Sequence, residues 1–216
     1  MPDITTQVLA IFKQHHAILE DDHFVYASGD HGSGWINKDA IFPHTDAICQ
    51  LAKWLSDAIL NTDIHFDLIC GPVTGGVVLS QWLGHHLKKP AIYADKHSVI
   101  NASGIRQTTF ILKRGYDKLV QDKQVLLVDD IINTGHSVLK VKEAITQAGG
   151  RVDTIATLIN RANVYANDFN TRHFIYLLDY KIPAWPAKSC PLCQQNKPIN
   201  IEHAYGAAYL AEQQGF

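Results

Sequence analysis

The chain has almost no excess of charge of either sign. Its 19 Lys and Arg residues stand against 21 Asp and Glu in 216 residues, a formal net charge of −2. No cluster of basic residues interrupts this balance, so the electrostatic pattern of a nucleic-acid-binding protein is missing. No apolar stretch is long enough to cross a bilayer, and the first residues lead into a polar helix instead of a signal peptide. We therefore expect a cytoplasmic protein with neither a nucleic acid nor a membrane as partner.

Cysteine is scarce as well. Of the four cysteines, Cys49 and Cys70 lie within apolar patterns, which argues against a secreted disulfide framework. Cys190 and Cys193 form a Cys-Pro-Leu-Cys pair that could be half of a zinc site, a redox pair or a structural turn. His203 could add a third ligand, but the sequence identifies no fourth, so we assign no metal ligand and favour the structural turn.

The most informative stretch runs from Val125 to Ser137. A continuous apolar run, Val125-Leu126-Leu127-Val128, predicts a strand buried on both faces of a parallel sheet. Asp129 and Asp130 follow it, and apolar residues then recur at helical spacing until Gly149-Gly150. The loop and helix start would bind a phosphate. Two carboxylates beside that phosphate require hydroxyl donors, as in a ribose, or a divalent metal.

This stretch resembles the signature of the type I phosphoribosyltransferases, which bind 5-phosphoribosyl 1-diphosphate. The resemblance implies that Asp129 and Asp130 orient the ribose. It assigns the 5′-phosphate to a loop of six residues: Ile132, Asn133, Thr134, Gly135, His136 and Ser137. Asn133 and His136 stand where that family more usually has a Thr and a Gly or Thr. An ordinary strand-to-helix turn with an acidic pair is the alternative.

A second glycine-rich loop follows the predicted strand from Asp67 to Cys70, and a helix is predicted from Val77 to Leu87. Such a loop lets a backbone approach an anion closely, although a tight turn would look the same. In the family the corresponding loop holds the diphosphate, and Gly-Pro-x-x-Gly-Gly resembles one branch of the orotate phosphoribosyltransferases. The implied diphosphate loop comprises Gly71, Pro72, Val73, Thr74, Gly75 and Gly76.

Before this loop, the chain predicts an amphipathic helix over residues 4 to 20, a hairpin over residues 23 to 39, and a helix from Pro43 to Leu60. The hairpin resembles the N-terminal hood that covers the base in orotate phosphoribosyltransferases. Ser28 and Lys38 are its implied base-binding residues. Ala27 stands where a Lys is common. A hydrogen-bonded turn and a solvated lysine are the alternatives for Ser28 and Lys38.

A strand is predicted from Ala91 to Ala94, a mobile loop over residues 97 to 107, and a strand from Thr108 to Leu112. In the orotate family a Lys or Arg of this region reaches the diphosphate of the neighbouring subunit in a dimer. We assign this catalytic role to Lys96, with three weaker candidates: Arg106, Lys113 and Arg114. Exposed basic residues on a solvated hairpin are the alternative.

The last two strands are predicted from Val152 to Ile159 and from Phe174 to Leu178. Arg161 follows the first of them and could bind a carboxylate in bidentate fashion. In the orotate family an Arg after an acidic residue at this strand end grips the carboxylate of orotate. Here Asn160 precedes the Arg. A surface ion pair is the other interpretation of Arg161.

Together these observations predict one α/β domain with a mostly parallel central sheet and flanking helices, over residues 1 to 184 with the hood at about 20 to 42. A tail with the Cys-Pro-Leu-Cys turn follows over residues 185 to 216. The resemblance implies transfer of phosphoribosyl to orotate with Mg²⁺, held mainly through the substrate, in a homodimer sharing its active site. A transferase for a purine or another base, or a non-enzymatic phosphoribosyl-diphosphate sensor, remains open.

Overall fold

The computed structural model describes residues 3–100, 106–161 and 163–213; the side chains of Arg106 and Gln107 lie outside that description. The strands are β1 (Ile18–Leu19), β2 (Phe24–Val25), β3 (His31–Gly32), β4 (Trp35–Ile36), β5 (Leu68–Pro72), β6 (Ala91–Ile100), β7 (Arg106–Ile111), β8 (Gln124–Ile132), β9 (Arg151–Asn160), β10 (His173–Asp179) and β11 (Ala184–Trp185). The α-helices are α1 (Ile4–Gln14), α2 (Thr45–Leu60), α3 (Gly75–Leu87), α4 (Tyr116–Val120), α5 (His136–Gln147), α6 (Pro191–Gln194) and α7 (Gly206–Gln213). Short 3₁₀ turns span Lys38–Ala40, Ala166–Phe169 and Ala187–Ser189.

The contacts divide the chain into two compact units. The first, called here the sheet unit, comprises Met1–Val8 and His44–Tyr180. The second, called the hairpin unit, comprises Leu9–Pro43 and Lys181–Phe216. This grouping places the predicted hood with the tail, whereas the sequence suggested a division after residue 184. The predicted domain boundary after residue 184 stays a prediction.

The sheet unit contains a six-stranded sheet in the order β10-β9-β8-β5-β6-β7. Every neighbouring pair is parallel except β6 and β7, which are antiparallel. Strand β8 lies in the middle, and its residues from Val125 to Ile132 are all buried. Helices α2, α3 and α5 contact the sheet. The predicted mostly parallel sheet with flanking helices is therefore confirmed.

The core of this unit is largely aliphatic, because β5 and residues 125–128 of β8 carry apolar side chains on both faces. Its buried hydrophobic cluster comprises Leu68, Cys70, Ile92, Ala94, Phe110, Val120, Val125, Leu127, Ile132, Val138, Val141, Ile145, Val152, Ile155 and Phe169. Parallel pairing aligns Cys70 with Leu127 and Leu127 with Ile155, so the carboxyl ends of β5, β8 and β9 lie side by side.

Several strand boundaries differ from the predictions. Strand β8 continues through Asp129 and Asp130 to Ile132, because its ladder with β9 continues to the pair Ile132 and Asn160. Residues 97 to 100 pair with residues 106 to 109, where a mobile loop was predicted. The described side chains there are mostly exposed, so no apolar alternation marks these strand ends. Residues 101 to 105 of that predicted loop lie outside the described residues.

The hairpin unit has two small sheets. Strands β1 and β4 form an antiparallel pair, and β11, β3 and β2 form a three-stranded antiparallel sheet. The predicted first helix ends at Gln14 instead of residue 20, because His16 adopts a positive φ of 52° and Ile18 then pairs with Ile36. Tail residues bind the hairpin backbone: Tyr205 N–H donates to the Val25 carbonyl at 3.0 Å. None of the described helices has the length and apolar character needed to span a membrane.

Candidate active site

The predicted diphosphate loop meets the acidic pair where β5 and β8 end. Gly75, the first residue of α3, lies directly against the Asp130 carboxylate, since a Cβ atom at Gly75 would be 1.7 Å from Asp130 Oδ2. A Cβ at Gly71 would likewise be 2.2 Å from the Gly76 carbonyl oxygen. Real Cβ atoms do not approach so closely, so these positions require glycine. The diphosphate loop therefore packs closely against its own backbone and against Asp130.

The acidic pair is held rigidly at the end of β8. Asp129 and Asp130 are only 9% and 2% exposed. Asp129 Oδ1 accepts the Asp130 N–H at 3.0 Å, and Asp130 Oδ1 accepts the Ile131 N–H at 2.7 Å. The Thr157 hydroxyl donates to the Asp130 carbonyl at 3.0 Å. Because backbone donors fix both side chains, the carboxylates are positioned before a ligand binds.

The predicted 5′-phosphate loop turns at Gly135. This residue has a φ of 75°, and a Cβ there would lie 2.4 Å from Cε1 of Phe169. Helix α5 begins at His136, and Asn133, Thr134, His136 and Ser137 are exposed around its start. First-turn N–H groups of a helix lack intrahelical acceptors and attract anions. Because the imidazole of His136 is exposed, this bulky side chain does not have to fit inside the loop.

Phe169 is the support beneath that loop. It is 1% exposed and packs edge to face with Phe174 at a centroid distance of 5.3 Å. Lys142 of α5 donates to the Phe169 carbonyl at 2.8 Å. Burial lowers the pKa of Lys142. The 3₁₀ turn of Phe169 therefore fixes both the glycine of the loop and the helix that follows it.

Arg161 lies beside the 5′-phosphate loop. Its backbone N–H donates to the Ile132 carbonyl at 2.9 Å, and its Nη1 donates to the Asn133 side-chain oxygen at 3.1 Å. Asn160 is buried, and its side-chain amide donates to the Val164 carbonyl at 3.1 Å. The sequence did not reveal the contact between Arg161 and Asn133, because the two residues are 28 positions apart and no repeating pattern of residues links them.

The basic residues of the β6 and β7 hairpin differ in their surroundings. Arg114 forms an ion pair with Asp95 and lies over the Tyr93 ring, 5.4 Å from its centroid. The hydrogen bond that Arg114 donates to the Asp95 carboxylate raises the pKa of Arg114. Lys96, opposite Phe110 in the ladder, and Lys113 are exposed. The side chain of Arg106 lies outside the described part of the chain.

Ser28 and Lys38 belong to the hairpin unit. The Ser28 hydroxyl donates to the Asp30 carboxylate at 3.0 Å and accepts the Asp30 N–H at 3.3 Å, the hydrogen-bonded turn that was the alternative interpretation. Lys38 is half-buried at the start of a 3₁₀ turn. Their contact with a base stays a prediction.

A cavity of about 380 Å³ lies at the opposite edge of the sheet. Its lining includes Asp67, Gln124, Arg151 and His173, which stand at the amino ends of their strands. The Asp67 carboxylate accepts the Gln124 N–H at 2.8 Å, and this bond lowers the pKa of Asp67. Open α/β sheets bind ligands at the carboxyl ends of their strands, so we place the candidate site at Asp130 instead.

A ribose phosphate fits this carboxyl edge, with anion sites at two helix starts and carboxylates between them. Residues 37–175 match the model of the Phosphoribosyl transferase domain. The chain belongs to the phosphoribosyltransferase family. It is 30% identical to orotate phosphoribosyltransferase of Heliobacterium modesticaldum over 193 residues, 89% of this chain and 94% of the relative.

Solved phosphoribosyltransferases share the fold. The orotate phosphoribosyltransferase of Aeropyrum pernix matches with a TM-score of 0.63 and 21% identity, covering 80% of this chain and 93% of that one. The adenine phosphoribosyltransferase of Thermoanaerobacter pseudethanolicus matches with a TM-score of 0.55 and 18% identity, covering 69% and 90%. Because both enzymes have this fold, the fold alone does not select the base.

Proposed function

We propose that the protein transfers the phosphoribosyl group from 5-phosphoribosyl 1-diphosphate to orotate, giving orotidine 5′-phosphate and diphosphate. The observation that carries this proposal is the contact of Gly75 with Asp130, which places the diphosphate loop directly against the acidic pair. The relative named orotate phosphoribosyltransferase, 30% identical along 89% of this chain, supports orotate as the base.

The chemistry concerns departure of diphosphate from C1′. As that bond breaks, positive charge develops on the ribose, as in glycoside cleavage, and negative charge develops on the leaving group. The backbone N–H groups at the start of α3 would bind the diphosphate, and those at the start of α5 would bind the 5′-phosphate. Fixing both ends aligns C1′ with the incoming base nitrogen. No covalent nucleophile is needed.

Asp129 and Asp130 have the chemistry for the sugar between these loops. Ribose hydroxyls donate hydrogen bonds to carboxylates, and such charge-assisted bonds are strong. Carboxylate oxygens also suit Mg²⁺, so this donor set fits a metal that arrives with the substrate. When bound, Mg²⁺ supplies positive charge to the departing diphosphate. The buried aspartates themselves hold the ribose and limit its rotation.

Arg161 is the residue that we assign to the orotate carboxylate, with Ser28 and Lys38 as further base-binding residues. Its Nη1 now donates to a neutral amide oxygen, that of Asn133. A carboxylate is a stronger acceptor and can take two guanidinium N–H groups at once. Orotate would therefore displace Asn133 as the partner of Arg161.

Lys96, a homodimer and a cytoplasmic location belong to the same proposal. Lys96 is exposed on β6, so its ammonium group is accessible to a diphosphate bound by another copy of the chain. A strong positive charge near the leaving group would lower the barrier to its departure. The family resemblance, which places such a residue in the neighbouring subunit, supports this assignment.

A purine or other base is the second candidate. Asn160 supports it, because the buried amide binds Val164 where the orotate family has an acidic residue. The test measures diphosphate release and identifies the nucleotide formed with orotate, hypoxanthine and adenine. Orotidine 5′-phosphate as the sole product would support our proposal. A purine nucleotide as the main product would overturn it, and the absence of turnover with every base would favour a sensor.

A further inference from the structure

Four metal-binding side chains meet in the hairpin unit, although two stretches far apart in sequence contribute them. They are His23, His31, Cys190 and Cys193, and their ligand atoms all lie within 4.8 Å of one another. The histidines and Cys190 are buried, and Cys193 is exposed. The two cysteines are those of the tail pair, for which the sequence favoured a structural turn. His203, the ligand considered there, is not a member of this group.

The distances suit a tetrahedral ion. His23 Nε2 lies 2.8 Å from His31 Nδ1, 3.6 Å from Cys190 Sγ and 3.8 Å from Cys193 Sγ. His31 Nδ1 lies 3.3 Å from Cys193 Sγ. Zn–N bonds of about 2.0 Å and Zn–S bonds of about 2.3 Å place tetrahedral ligand atoms roughly 3.3 to 3.8 Å apart. The two nitrogens must separate slightly, and any pair close to the 4.8 Å limit must approach.

The hydrogen bond of its Nδ1 atom selects the tautomer of the neutral His23 ring. Nδ1 lies 2.8 Å from the Lys197 carbonyl oxygen. A carbonyl only accepts, so Nδ1 carries the proton and donates it. The Nε2 lone pair of His23 therefore faces the two sulfurs and His31. Donation from the far ring nitrogen to a carbonyl is the usual way in which a zinc-binding histidine is oriented.

Backbone structure also holds the ligands in place. His31 lies in β3 between β2 and β11, where it aligns with Val25 and Trp185. Cys190 is the N-cap of α6, whose first residue is Pro191, and the Gln194 N–H donates to the Cys190 carbonyl at 3.2 Å. The short helical turn thus brings both sulfurs to the same side. The His23 carbonyl accepts the Asn200 N–H at 2.7 Å.

We propose that His23, His31, Cys190 and Cys193 bind one Zn²⁺ ion in a structural site. Binding releases the two thiol protons and forms two Zn–S and two Zn–N bonds. All four positions are filled by the protein, so no position is open for a substrate or water. Thiolate and imidazole ligands favour zinc over Mg²⁺, which prefers oxygen. This inference is independent of the proposed reaction.

A zinc site would add stability to the hairpin unit. Its strands are two residues long, so each contributes few ladder hydrogen bonds and little core. Small units of this kind are commonly stabilised by a metal or by disulfides. The ion would link the hairpin, through His23 and His31, to the tail, through the two cysteines.

The first test is the metal content of the full chain, produced without an affinity tag and purified with a reductant from zinc-supplemented culture. We expect one zinc per chain in the wild type and none in the double variant Cys190→Ser/Cys193→Ser. Cys49→Ser is the matched control, because Cys49 Sγ also contacts a histidine, His86 Nε2 at 3.5 Å, but in a pair only. This control should retain one zinc.

A second measurement uses only the wild type, so it does not depend on whether the double variant folds. Native wild type, after zinc is removed by a chelator, is titrated with Co²⁺ under reductant. We expect the visible d–d bands of tetrahedral cobalt with thiolate ligands, saturating at one equivalent and lost when Zn²⁺ is added. Wild type that contains no zinc and develops no such bands would overturn the proposal. Zinc retained in the double cysteine variant, or a Cys190–Cys193 disulfide in protein that binds no metal when reduced, would also overturn it.

Discussion

The sheet unit and the hairpin unit differ in what holds them together. The sheet unit surrounds strands of five to ten residues with a continuous aliphatic cluster, so burial of apolar surface stabilises it. The hairpin unit has strands of two residues, and its buried residues include two histidines and a cysteine beside apolar side chains such as Phe12, Phe24 and Ile41. We infer that the first can position a catalytic site without a metal of its own, whereas the second depends on an ion.

The largest effect that separates the two units is expected from metal removal. If zinc links hairpin and tail, a chelator should increase amide hydrogen exchange in β2 and β3 by about 10³-fold or more, because their local stability includes the binding free energy. Exchange in β8 and β9 should stay unchanged. Equal loss of protection in all four strands, or no loss in β3, would contradict the comparison.

Ile155→Ala should destabilise the sheet unit by about 2 to 5 kcal/mol, the usual cost of emptying a fully buried aliphatic site. Ile155 is 0% exposed and pairs with Leu127 and Phe174 on the neighbouring strands. Urea unfolding followed by fluorescence and circular dichroism measures the change. Leu60→Ala is the control, because Leu60 is 68% exposed and its loss should cost little. A similar cost for both variants would mean that burial does not set stability here.

Arg161→Ala should raise KM for orotate by about 10- to 100-fold, since a hydrogen bond to a charged group contributes roughly 1.5 to 3 kcal/mol. Arg161→Lys should recover only part of this, because Lys lacks the bidentate geometry. Arg172→Ala is the matched control: Arg172 is exposed near Asp153, at the other edge of the sheet. An unchanged KM in Arg161→Ala would remove this residue from the base site.

The smallest effect concerns Cys70 of the aliphatic core. Burial raises the pKa of its thiol to about 12, from an ordinary value of 9.0. The unfolded chain then loses this proton first as the pH rises, so the stability from the neutral thiol is fully present below pH 9 and declines above it. Between pH 8 and pH 10, the free energy of unfolding of the wild type should fall by about 1 kcal/mol more than that of Cys70→Ala. Equal pH dependence in urea unfolding would refute this.

The sequence predicted those strands, loops and helices that a local pattern of residues encodes. Three local patterns were enough to predict the sheet and the loops at its edge: the apolar run of β8, the glycines at the end of β5 and the helical spacing after Ser137. Parallel strands align their carboxyl ends, so the loops that follow them lie at the same edge. It did not predict the Asn133 contact of Arg161, or the approach of His23 and His31 to the tail cysteines. These contacts join residues that are distant in sequence and leave no periodic signal. The extension of β6 to Ile100 was missed because a ladder of backbone hydrogen bonds does not require a side-chain pattern.

Binding of 5-phosphoribosyl 1-diphosphate with Mg²⁺, measured by calorimetry, tests most directly whether the diphosphate loop and the acidic pair form one site. Wild type should bind the ligand, and Gly75→Ala should bind it about 10²-fold more weakly, because the new Cβ would displace Asp130 or the diphosphate loop. Gly149→Ala is the control for backbone strain away from the site: Gly149 has a φ of 83°, and the nearest atom to its new Cβ is 3.5 Å away in Gln121, so this variant should lose stability but bind like wild type. Wild-type affinity in Gly75→Ala, or no binding by the wild type, would contradict the account.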